Sequence, residues 1–156
     1  MADFLEVCVG EAGILVGLLR YEVQGSREYS VFEYDQSWLR NRRAFAICPS
    51  MPLEAGGPFF FRKKGDHGSP FPPAVADTTP DQWGRNIIRR DARENRKRTS
   101  PLNEFDFLVF VDDFSRLGAL RIRERGADRF LASEPGGQHA IPPLLVLSEI
   151  AKSIEE

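Results

Sequence analysis

Histidine and cysteine, the side chains most often used for metal binding and nucleophilic catalysis, are scarce in this chain. Two of each occur among 156 residues, and no two of them have the spacing of metal ligands. Cys8 and Cys48 therefore indicate neither a disulfide framework nor a metal site, and we expect both to be small buried hydrophobes in a reducing compartment. His67 and His139 lie near glycines, so we expect both in exposed loops.

Phosphate-binding loops, signal sequences and membrane spans are missing as well. The sequence has no GxxxxGK[ST] or GxGxxG segment to hold a nucleotide phosphate. Asp3 and Glu6 stand where a signal peptide needs basic residues, and no apolar run reaches the roughly 20 residues of a membrane span. We interpret Asp112 and Asp113 as an acidic turn rather than a cation site. We therefore expect a soluble cytoplasmic protein that has no catalytic, cofactor-binding or metal-binding residues of its own.

Apolar residues are plentiful enough to build a core, since they make up 42% of the chain and include twelve phenylalanines. Short runs rich in β-branched and aromatic residues predict strands at 4–9, 14–21 and 29–34, the first two joined as a hairpin. Three consecutive phenylalanines at 59–61 predict either a strand buried on both faces or a folded loop. Residues 118–123 predict one late strand.

Helix signals fill most of the second half. Asp35 is expected to cap a short helix, while Ser100 and Pro101 fit the cap and the first position of a later one. The apolar periodicity of residues 144–154 predicts a final amphipathic helix.

These elements predict one α+β domain over residues 1–156. Its antiparallel sheet comes from the N-terminal third, with helices packed on it, one late strand and a C-terminal helix. Residues 1–75 should be mostly β, and residues 76–156 mostly helical.

The segment TTPDQWGRNIIRR, residues 78–90, has the features of a helix start. Thr79 fits the N-cap, and Gln82 three residues later completes a capping box. Trp83, Ile87 and Ile88 share a face that Ala92 continues, so we expect a buried stripe with the arginines turned outward.

Basic residues are concentrated in and just after this segment. Residues 85–98 carry seven basic and two acidic side chains, a net charge of +5, whereas the rest of the chain sums to −7. Arg89, Arg93 and Arg96 suit either a nucleic-acid contact or a solvated, partner-facing surface. The interrupting carboxylates and the lack of interleaved aromatics favour the second interpretation, so we do not expect direct contact with nucleic acid.

Four segments resemble, in the same order, the N-terminal region of HipA-family proteins, the kinase toxins of bacterial toxin–antitoxin pairs. They are FEYDQSWLRNRRAFAICPSMPL, VADTTPDQWGRNIIRR, LNEFDFLVFVDDFSRLGALRIR and HAIPPLLVLSEIAKSIEE. The residues that we interpret as structural positions of these motifs are Asp81, Trp83, Gly84, Arg85, Gly118, Ala119 and Leu120.

By analogy with that family, the resemblance implies the non-catalytic N-terminal region of a serine/threonine kinase toxin of the type linked to bacterial persistence. The region would pack on the kinase body and contribute antitoxin or self-association contacts, with Leu145 and Ile150 as apolar partner positions. The transferase activity, together with ATP and Mg²⁺, is expected only in a kinase core beyond Glu156, where the final helix stops without a capping residue.

Two other interpretations remain open. One is a free-standing inhibitor, or antitoxin, of a separate kinase, and the other is a nucleic-acid-binding module that uses the basic helix 85–98. A reading frame that continues past Glu156 would favour the kinase fragment over the inhibitor, and the salt dependence of DNA or RNA binding would test the third interpretation.

Overall fold

A computed structural model describes residues 2–65, 68–94, 100–111, 113, 116 and 118–131. Its centre is a five-stranded antiparallel sheet with the strand order β4-β3-β2-β1-β5. The strands are β1 (Ala2–Val9), β2 (Ile14–Gln24), β3 (Arg27–Tyr34), β4 (Phe59–Arg62) and β5 (Leu120–Glu124). The helices are α1 (Gln36–Leu39), α2 (Pro73–Ala76), α3 (Gln82–Glu94) and α4 (Glu104–Phe110), with a 3-10 turn at Leu53–Ala55.

The α+β class, the N-terminal sheet and the late strand are confirmed. The first three strands form a meander whose register places Leu5 opposite Leu19 on the buried face. Glycines at both turns adopt positive φ, +71° at Gly10 and +63° at Gly25, a conformation that costs glycine little. The late strand β5 then pairs with the free edge of β1.

The three phenylalanines form a strand, but it is not buried on both faces. Phe59 and Phe61 pack against the core, whereas Phe60 points the other way and is 74% exposed. The strand lies at the edge of the sheet, pairing only with β3 among the described strands. Successive side chains of a strand point to opposite faces of the sheet, and the face that carries Phe60 is open to solvent. Both predicted alternatives, a strand buried on both faces and a folded loop, were therefore wrong.

Helix caps match the predictions only in part. The carboxylate of Asp35 accepts a hydrogen bond from the Ser37 backbone N–H at 2.8 Å, so the predicted cap of α1 is confirmed. Helix α4 does not begin at Ser100 and Pro101, because Asn103 and Asp106 form a reciprocal capping box in which each side chain accepts from the other's backbone N–H at 2.9 Å. The helix therefore begins three residues later than predicted.

The core lies between the sheet and the helices. Aromatic side chains from β2 and β3 occupy its centre, with Tyr21 and Phe32 almost fully buried. The hydroxyl of Tyr34 donates to the Met51 carbonyl at 2.8 Å and accepts from the Ile47 N–H at 3.0 Å. These bonds satisfy buried polar groups of the irregular segment after α1.

The predicted final helix, with Leu145 and Ile150, lies outside the described residues, as does Arg96. No helix in the described part is long and apolar enough to cross a membrane.

Candidate partner-binding surface

Helix α3 carries five of the twelve sequence-predicted site residues, and its N-cap is Asp81 rather than Thr79. The Asp81 carboxylate accepts from the Gly84 N–H at 2.8 Å. Thr79 belongs to the preceding turn, where its hydroxyl donates to the Ala76 carbonyl at 2.7 Å. A Cβ on Gly84 would lie 2.9 Å from the Pro80 side chain, so a neighbour in the same segment, not a second element, accounts for the glycine.

The rotation of α3 differs from the prediction. Trp83 is 57% exposed, while Ile88 and Ala92 are buried. Trp83 and Ile88 are five residues apart, about 140° around the helix axis, so they cannot share the centre of one buried face. Ile88 and Ala92 are buried as predicted, and the third position of their face is Arg85 rather than Trp83. The prediction of a buried Trp83 is therefore wrong.

Arg85 lies on this inner face, and its guanidinium forms a two-pronged ion pair with Glu104 at the start of α4. The distances are 3.0 Å from Nη1 to Oε1 and 2.9 Å from Nη2 to Oε2. Nε donates to the Pro80 carbonyl at 3.1 Å, and the guanidinium carbon lies 4.7 Å from the centre of the Phe107 ring. Such a fork holds its two partners in a fixed orientation. Arg85 thus joins α3 to α4 and is not turned outward.

Further charged side chains extend this pair to the sheet. Lys63 Nζ lies 3.2 Å from a carboxylate oxygen of Glu104 and 3.2 Å from one of Glu28. The other oxygen of Glu28 accepts from the Tyr21 hydroxyl at 2.7 Å and from the Glu104 N–H at 3.0 Å. The cluster therefore links β2, β3, the end of β4 and both long helices.

Opposing effects set the ionisation of this cluster. Burial alone would raise the pKa of Glu104, but the hydrogen bonds and charges of Arg85 and Lys63 outweigh burial and lower it. Burial would lower the pKa of Lys63, yet its two carboxylate partners raise it. Both groups are thus held in their charged forms, as a buried ion cluster requires.

The outer face of α3 presents Trp83 together with Asn86, Arg89, Arg90 and Arg93. Arg90 is paired with Glu94 at 2.9 Å on the surface. Arg89 donates to the Asn86 side chain at 2.9 Å, and its guanidinium carbon lies 5.1 Å from the centre of the Phe107 ring. Arg93 is exposed. The four polar side chains and Glu94 line a shallow depression, which we call the arginine depression.

The second predicted motif, Gly118 to Leu120, lies apart from α3, at the start of β5. Gly118 has φ of +85°, and the Ala119 carbonyl accepts from the Gly10 N–H at 3.0 Å. Leu120 then begins β5 opposite Val9. These residues therefore anchor the late strand to the turn after β1.

A shallow groove connects this motif to two other segments that resemble the HipA family. Phe45, Asp77 and Leu120, from three different segments, lie along it. The structure thus brings together the beginning of the VADTTPDQWGR segment and the GAL segment. The Trp83 end of the former lies apart on α3.

The remaining candidate groups form no site within the part of the chain that the structure describes. Asp113 accepts from Arg121 Nε at 2.9 Å, which agrees with a turn rather than a cation site. His67, His139 and Asp112 lie outside the described residues. Cys8 and Cys48 are buried free thiols, as predicted. Within the described ranges, no group of three or more His, Cys, Asp or Glu side chains could hold a metal ion.

Sequence reasoning missed the Glu104 cluster entirely. Its hydrogen-bonded pairs are separated by between 7 and 76 positions in the sequence, and no local periodicity indicates contacts between residues so far apart in sequence. The only usable signal was the charge of Glu104 beside the apolar residues of α4.

Comparison with protein-family models matches residues 5–123 to the HipA N-terminal domain. Comparisons with curated proteins and with solved structures returned no match. The match spans all five strands and the four helices almost completely, and it includes both α3 and the Gly118 turn. This chain belongs to the HipA N-terminal domain family.

Proposed function

We propose that the chain is the non-catalytic N-terminal region of a HipA-like serine/threonine kinase toxin and packs on the kinase body. Family membership supports the toxin–antitoxin context. In this proposal ATP and Mg²⁺ bind to the kinase body, and the present chain supplies contact surface. The same contact would also serve a free-standing inhibitor of a separate kinase, so the reading frame after Glu156 distinguishes these two forms.

One observation carries the proposal: the outward position of Trp83. A tryptophan that is 57% exposed leaves a large apolar area in water, and partly buried Ile87 lies one turn away on the same side. Tryptophan and arginine are the residues most enriched among binding hot spots. An exposed tryptophan among arginines on a well-anchored helix is therefore a suitable anchor for a protein partner.

The rigid support of α3 strengthens this interpretation. Ile88 and Ala92 bury its inner face, and Arg85 fixes it to α4 through Glu104. A helix held in this way has little backbone entropy left to lose on binding.

The test measures binding of chain 1–156 to the kinase body encoded with it, either downstream in the same frame or in a neighbouring gene. Calorimetry with Trp83→Ala should show affinity lower by about thirtyfold or more, as expected for a hot-spot tryptophan. Phe60→Ala is the matched control, because Phe60 is an exposed aromatic on the opposite face of the sheet.

Affinity within about twofold of wild type is expected for Phe60→Ala, as for residues outside an interface. The proposal fails if wild-type chain does not bind the kinase body, or if Trp83→Ala binds as tightly as wild type.

A further inference from the structure

The arginine depression holds more positive charge than its own residues neutralise. Glu94 pairs with Arg90, which leaves Arg89 and Arg93 without a carboxylate partner in the described part of the chain. The amide of Asn86 orients Arg89 but does not cancel its charge. Arg89 and Arg93 stand four positions apart on the helix, a backbone rise of about 6 Å along the axis.

We propose that the arginine depression binds an acidic segment of the protein partner, which deepens the proposed function and rests on it. Each guanidinium can donate two parallel hydrogen bonds to one carboxylate. Two carboxylates spaced by about one helical turn, or by two residues of an extended chain, match the separation of Arg89 and Arg93. The partner is thus recognised by paired acidic side chains, with Trp83 beside them for apolar contact.

The exposure of Trp83 removes one objection to nucleic acid, because an aromatic does accompany the arginines. The distribution of charge still favours a protein. Glu94 lines the depression itself, and the chain outside residues 85–98 carries a net charge of −7. The molecule as a whole therefore has no excess of positive charge to attract a polyanion, and a nucleic acid gains its affinity from many phosphate contacts, whereas the depression offers two arginines without a carboxylate partner among the described residues. A short acidic segment needs only these two contacts.

The experiment uses full chain 1–156 and a fluorescein-labelled decaglutamate peptide as the probe, followed by fluorescence anisotropy in about 20 mM salt, where screening is weak. Saturable binding is expected, and Arg93→Glu should weaken it by about tenfold, since a charge reversal in contact with an acidic partner repels it. Arg93 is exposed, so this variant should fold normally. Arg89→Glu should act in the same direction, with circular dichroism to verify its fold because Arg89 contacts Phe107.

Arg42→Glu is the matched control, because Arg42 is exposed in the loop after α1 and its reversal changes the net charge equally. It should bind decaglutamate within about twofold of wild type. An equal loss in Arg42→Glu would show that only net charge matters and would overturn the proposal. So would the absence of saturable binding, or tighter binding of a ten-residue oligothymidylate in the same buffer.

Binding of the same variants to the kinase body tests this inference separately from the proposed function. Arg93→Glu should weaken that complex, and its effect should shrink as salt rises to about 0.5 M. If Trp83→Ala abolishes the complex while Arg93→Glu leaves it unchanged, the proposed function stands and the acidic-segment inference is refuted.

Discussion

Removing Arg85 should destabilise the domain because it leaves the buried carboxylate of Glu104 without its main ion-pair partner. Their side chains are only 19% and 7% exposed, and loss of one partner from a buried pair typically costs about 3–5 kcal/mol. Lys63 still contacts one oxygen of Glu104 at 3.2 Å and offsets part of that cost. We therefore expect Arg85→Ala to lower the free energy of unfolding by about 2–3 kcal/mol at neutral pH.

The loss should depend on pH in a defined direction. The pKa of Glu104 is lowered in the folded protein, so its contribution is complete above the ordinary glutamate pKa and is lost as the pH falls through the folded value. Arg85 has the largest effect among the groups that lower the pKa of Glu104 against burial. Without Arg85, the free energy of unfolding should therefore fall less on acidification than it does in wild type. The stability difference between the two proteins should narrow at low pH.

Urea unfolding followed by circular dichroism at about pH 7 and about pH 3 measures both effects. Arg90→Ala is the matched control on the same helix, because its pair with Glu94 is exposed, and its loss should stay within about 0.5 kcal/mol. A loss below about 1 kcal/mol for Arg85→Ala, or one that is equal at both pH values, would refute the role of the buried pair.

Three further substitutions test the packing. Trp83→Ala should change the free energy of unfolding by less than about 1 kcal/mol, since the side chain is mostly exposed, and a larger loss in urea would place Trp83 in the core. Tyr34→Phe should cost about 1–3 kcal/mol in the same assay, because the Met51 carbonyl loses a buried donor; no loss would mean that water replaces the hydroxyl. Gly17→Ala should cost roughly 2 kcal/mol or more, because the added Cβ would lie 2.3 Å from the Glu33 carbonyl oxygen; an unchanged melting temperature would contradict that close approach.

Local patterns predicted the first hairpin, the third strand, the late strand and the Asp35 cap because each depends on residues close together in sequence. The same kind of pattern placed the starts of α3 and α4 two or three residues early. Both Thr79 and Ser100 have the side chain of a cap, but the hydroxyl of Thr79 is used by the preceding turn. Asn103 forms a reciprocal box that Ser100 does not. Near the start of each helix several residues have side chains that can act as the N-cap, and only the tertiary structure selects among them.

The candidate surface was predicted less well than the fold. Arg89 and Arg93 were identified as a possible partner surface, but Arg90 was not. Arg85 and Trp83 exchanged sides relative to the prediction. Apolar character alone placed Trp83 inside, and charge alone placed Arg85 outside. A carboxylate 19 positions away in the sequence reverses that preference by offering Arg85 a fixed partner. A single periodic stripe contains no information about such a partner.

The position of β1 in the sheet has a consequence for synthesis of the chain. β1 pairs with β2 soon after both leave the ribosome, yet its other edge waits for β5, whose pairing residues lie more than 110 positions later. Until then a nascent chain carries an open strand edge that can pair with another nascent copy. A stop or a proteolytic cut between α4 and β5 would make that exposure permanent. Folding of this domain should therefore finish late, with the last strand closing the edge that the first strand left open.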